Sequence, residues 1–154
     1  MKRRVFGPAI GTELPASLTA PRQARAFVRH VLTTWGLAAQ SDDIEILASE
    51  FVANAAEHAR PPIRLALRPY VEIGGQRGIL CEVSDASPEM ARPAALKPDA
   101  ERGRGLRIVS ALADRSGIET GTRGKTAWFM LAVASPERES VARQAGFEAE
   151  ASAG

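Results

Sequence analysis

The hydrophobic period of the chain changes at "RPP", residues 60–62, and that change limits the fold more than any other feature. Upstream, apolar residues recur at helical spacing. Downstream, "IRLALRPYVEI" alternates apolar and polar residues, as a strand buried on one face does. Proline supplies no amide donor and disfavours helix in the residue before it, so the switch is abrupt.

On the helical side, "SLTAPRQARAFVRHVLTTWG" places Thr19 as an N-cap, Pro21 in the first turn and Gly36 as a stop. Phe27, Val28, Val31, Leu32 and Trp35 make its apolar face, while Arg22, Arg25 and Arg29 keep the outer face wet. A second helix opens near Ser41, Asp42 and Asp43, which offer a cap and negative charge at the positive end of the dipole, and it runs to about Ala59. On the strand side, "GGQRG" turns the first strand into "ILCEVSD", an antiparallel hairpin. Residues 86–103 carry three prolines and no period, which marks a long loop of the kind that is usually functional or disordered.

A third helix follows in "GRGLRIVSALADRSG", with Leu106, Val109, Leu112 and Ala113 on one face, and a last hairpin, "GIETGTRGKTAWFMLAV", turns at "GTRG". "RRVFGPA" adds a short opening strand. This order predicts an α+β fold, a two-layer sandwich with helices on one face of a mostly antiparallel sheet. One domain over residues 1–134 and a polar tail over 135–154 account for the whole length.

Composition serves mainly to exclude. A net charge of +2, aromatics at 5% and no long Lys/Arg block argue against direct nucleic-acid binding. No apolar run approaches the roughly 18 residues that span a bilayer, and "MKRRVFGPAIG" lacks the apolar core of a secretion signal, so a cytoplasmic location without membrane association is expected. Cys81 has no internal disulfide partner and reads as a buried, inert thiol. His30, set among arginines, reads as a solvated surface residue.

The segment with chemistry is "ASEFVANAAEHA", residues 48–59. On a helical wheel Leu47, Ala48, Phe51, Val52 and Ala55 define the apolar sector, and Glu50, Asn54 and His58 run along its edge with Glu57 beside them. An internal network, with Glu50 paired to an arginine, would explain such a line. So would a ligand, because a carboxylate and a carboxamide four residues apart can hold Mg²⁺ and activate a hydroxyl or water. Asp85 ends a strand in "VSDASP", where its carboxylate can accept a hydrogen bond from an exocyclic amine. In "ERGRGLRIV", Gly103 and Gly105 precede a helix whose amides could face phosphate, although the Lys-Ser/Thr of a P-loop is missing. Lys125 and Thr126 open the strand in "RGKTAWFML".

Taken in order over roughly residues 10–133, "ASEFVANAAEH", "EVSDASP", "GRGLRIVSALADR" and "GKTAWFML" resemble the nucleotide-binding elements of the GHKL ATPases, the superfamily that includes histidine kinases and anti-sigma factor kinases. They look most like its small stand-alone ATP-binding regulators of actinobacterial type. The resemblance implies ATP and Mg²⁺ as ligands, with Asn54 coordinating the metal and Glu50 acting as general base toward a partner's serine. His58 and Glu57 would lie near the phosphates, and Gly103, Arg104, Gly105 and Leu106 would line them. Asp85 would accept from the adenine amino group with Thr126 beside it through water, and residues 89–103 would form a lid.

The implied function is an anti-sigma factor that holds a sigma factor and phosphorylates a serine of its antagonist. The alternative is a non-catalytic module that binds a protein partner in an ATP-dependent way. Relatives of this kind often pair, so a homodimer is compatible. Two departures stand out: Ala86, Ser87 and Pro88 follow Asp85 where many members have glycines, and the lid is short. Histidine kinase activity is not expected, since nothing before residue 40 fits a dimerisation helix bearing a phosphoacceptor histidine.

Overall fold

The computed structural model describes residues 4–58, 61–87 and 112–133, the side chain of His58 excepted. Strands β1 (Arg4–Phe6) and β2 (Ile10–Leu14) lead into helix α1 (Ala20–Thr34), a short 3₁₀ turn over Ala38–Gln40 and helix α2 (Ser41–His58). Strands β3 (Ile63–Glu72), β4 (Arg77–Asp85), β5 (Arg115–Gly121) and β6 (Gly124–Val133) follow. They form one antiparallel sheet in the order β1-β3-β4-β6-β5, with β2 lying along the same side of β3 as β1. The α+β architecture expected from the change of period is therefore the one observed.

Alternation in β3 and β4 decides which face of the sheet is covered. Ile63, Leu65 and Leu67 on β3 and Ile79, Cys81 and Val83 on β4 are buried, and they meet Phe129 and Val133 of β6 in one core with both helices. From α1 the core takes Ala20, Ala24, Val28, Val31 and Leu32; Phe27 and Trp35 pack at its margin. Thr19 stands at the N-cap position, yet its side chain makes no capping bond. At the other end the expected stop is structurally explicit. Gly36 has φ 74°, its N–H donates to the Thr33 carbonyl at 3.1 Å, and that of Leu37 donates to the Leu32 carbonyl at 2.7 Å. These are the paired bonds of a Schellman motif, which need a left-handed residue after the helix.

Helix α2 lies over β4 and β3 and reaches β6 through Phe51, whose ring meets that of Phe129 edge to face at 5.2 Å and 86°. Such a pair adds about 0.5–1.5 kcal/mol beyond its buried area. The polar line this helix buries is Ser41, Glu45 and Ser49, each less than 7% exposed. Ser49 donates its hydroxyl to the Ile46 carbonyl at 2.8 Å, and Arg29 of α1 brings Nη2 to 2.8 Å from Glu45 Oε1, an ion pair off the line of a hydrogen bond. Arg29 is thus exposed along most of its length but ties the two helices together at its tip.

Strand β2 was not expected. Its pattern offers one buried residue, Leu14, and a glycine, so no alternation marks it, and it exists because β3 presents a free edge for residues 10–14 to pair with. Most of the anticipated third helix, the loop over 86–103 beyond Ser87, and the tail over 135–154 lie outside the described residues; Leu112 and Ala113 are described and pack against the core. No described helix is long and apolar enough to cross a membrane.

Candidate functional site

Strand pairing builds a candidate site at one end of the sheet. Asp85 closes β4 directly opposite Lys125 of β6, while Ser84 stands opposite Thr126 and Arg64 of β3. Because alternate residues of a strand point to opposite faces, Asp85 and Lys125 share the helix-covered face with Val83 and Cys81, and Ser84 and Thr126 point to the other. Gly124 makes the closure possible. With φ 148° it adopts a backbone that side-chain-bearing residues rarely take, and a Cβ there would collide with the Asp85 carbonyl oxygen.

Among the described residues Asp85 is the one buried carboxylate at this end of the sheet, its side chain 1% exposed. Burying that charge is unfavourable unless it is paired, and two groups meet it. The Ser87 N–H donates to Oδ1 at 2.8 Å, a local turn that fixes the carboxylate plane, and the Lys125 ammonium stands 3.8 Å from Oδ2. Asp85 and Lys125 line a cleft of about 550 Å³ with Pro62, Arg64, Ser84 and Thr126, walled by the β5–β6 turn. That volume falls within the range of small-molecule sites.

Helix α2 brings its C-terminal half to the same end. Phe51 sits over Phe129, which pairs with Cys81 in the middle of β4, and the helix continues for two turns to His58. The five steps from His58 to Ile63 span at most about 18 Å, less than the roughly 27 Å length of the helix. Its final turns must therefore stand near the start of β3, beside the end of β4. Glu50 is half-buried and Asn54 is exposed, so the line along the helix edge skirts the core instead of entering it. Among the described residues no group of three or more His, Cys, Asp or Glu side chains could hold a metal ion.

Residues 14–131 match the family model of the histidine kinase-like ATPase domain. The chain belongs to that family. A search of curated proteins gives no match. Membership in the histidine kinase-like ATPase family supports ATP binding, and the chemistry of one donor set fits a purine: the buried Asp85 carboxylate at the end of β4 is an acceptor for an exocyclic amine.

Of the residues picked out for the ATPase site, Glu50, Asn54, Glu57, Asp85 and Thr126 are described, and helix α2, β4 and β6 carry them toward one end of the sheet. Gly103, Arg104, Gly105, Leu106 and residues 89–103 lie outside the described residues, as does the His58 side chain. Thr126 lines the cleft from the face opposite Asp85. Lys125, given no role in the sequence reading, is the residue that touches Asp85. Counting the alternation of "KTAWFML" inward from Phe129 would have found it, because Phe129, Ala127 and Lys125 share a face.

Proposed function

We propose that this histidine kinase-like ATPase domain is an ATP-dependent anti-sigma factor with serine kinase activity toward an antagonist protein. The single observation that carries the reading is that α2, which carries Glu50 and Asn54, ends near the start of β3 and so beside the end of β4, where the Asp85 carboxylate is buried. Asp85 selects the base by accepting from an exocyclic amine. Asn54, exposed on the helix edge, offers a carboxamide oxygen to Mg²⁺, which takes few protein ligands when phosphates supply the others. Glu50, one turn earlier and half-buried, takes the proton from the partner's serine hydroxyl. Bound ATP supplies the transferable phosphoryl group.

Purified protein, Mg-ATP and the small antagonist proteins of its own genome test the reading. Phosphate should appear on an antagonist serine, and Glu50→Gln should abolish transfer by at least about 100-fold while leaving ATP binding in place. ATP binding without transfer to any antagonist would sink the kinase assignment and leave a binding module.

A further inference from the structure

We infer that Lys125 is a base-reading residue, which donates from its ammonium to the ring N1 of adenine while Asp85 accepts from the neighbouring amine; the inference rests on the ATP-binding reading above. Four observations place it there. The strand register sets Lys125 directly opposite Asp85 on the covered face of the sheet, and both line the same cleft. The Ser87 N–H engages Oδ1 at 2.8 Å, leaving Oδ2 as the oxygen turned toward the lysine. At 3.8 Å from Oδ2 the ammonium is attracted by charge but makes no hydrogen bond, and among the described residues it has no other partner. Lys125 is only 21% exposed, so its three N–H donors are held near the carboxylate instead of ranging through solvent.

A carboxylate acceptor and an ammonium donor side by side match the edge of adenine, which presents an amine donor next to a ring-nitrogen acceptor. A 6-oxopurine in the same pose reverses both: its carbonyl would face Asp85 and its N1–H would face Lys125. Lys125 therefore doubles the discrimination that Asp85 alone would provide. Gly124, by letting β6 close onto the Asp85 carbonyl, sets the register that brings the two groups together. As a mere counter-ion for a buried carboxylate, Lys125 would have no dependence on the base at all.

Titration calorimetry of the full chain with ATP and with an analogue whose ring N1 is replaced by C–H separates the two roles. The native chain should bind the analogue about tenfold or more weakly than ATP, as the loss of a charge-assisted hydrogen bond implies. Lys125→Met should bind both alike, at the weaker level, and Lys125→Arg should restore a preference for ATP. Unchanged or tighter ATP binding by Lys125→Met overturns the inference while the nucleotide site stands. Equal binding of ATP and the analogue by the native chain overturns it too, even where Lys125→Met fails to fold. No binding of ATP to folded native protein overturns the ATP-binding reading and the inference together.

Discussion

Single side chains carry the sharpest consequences in this domain. Cys81 is fully buried on β4, and that burial, with the charge of Glu82 adding to it, pushes its thiol well above the ordinary value of 9.0. The unfolded chain gives up the thiol proton as pH rises through about 9 whereas the folded chain keeps it, so stability is fully present below that range and is lost above it. Urea midpoints measured from pH 7 to 10 should fall, and Cys81→Ala should remove part of the slope despite a lower midpoint at neutral pH. A thiol reagent at neutral pH should leave the native Cys81 unmodified and label it only on unfolding. The burial of this thiol was legible in the sequence because an apolar alternating stretch surrounds it. Lys125 was not, because a lysine at the start of a strand has no period of its own, and only the pairing of β6 with β4 turns it toward Asp85.

The second helix shows how far a helical pattern can be read. Its apolar sector, Leu47, Ala48, Val52 and Ala55, was legible from spacing and is buried. The polar line that enters the interior was not: Ser41, Glu45 and Ser49 are buried, while Glu50 is half-buried and Asn54 exposed. Spacing gives the faces of one helix, but which polar edge is covered depends on where α1 crosses, and here α1 covers the Glu45 side through Arg29. Arg29→Ala should lower stability by about 1 kcal/mol, by leaving a buried carboxylate without its counter-charge, with the figure kept low because the arginine itself is largely exposed. Adding Glu45→Gln should recover part of the loss, since a neutral amide is less unfavourable when buried. A double-mutant cycle on urea midpoints checks it; additive effects would mean that the pair contributes nothing.

At the scale of the molecule, the candidate site gathers at one end of the sheet, where β4 closes opposite β6. The two long hairpins and two helices follow from period and punctuation, so the layered α+β architecture was readable, but β2 was not, since it is defined by the edge it covers and has no pattern of its own. Candidate site residues could be picked from the sequence as residue types in order, but how the described ones lie needed the register of β4 with β6 and the short link from α2 to β3. The central claim is that this end of the fold reads adenine through the Asp85 carboxylate. Titration calorimetry with ATP and GTP, each with Mg²⁺, on the native chain and on Asp85→Asn tests it most directly. The expected result is ATP binding, no GTP binding, and roughly ten- to 150-fold weaker ATP binding by the mutant, from a lost charged hydrogen bond of about 1.5–3 kcal/mol. Equal binding of the two nucleotides, or ATP binding indifferent to Asp85→Asn, would contradict it.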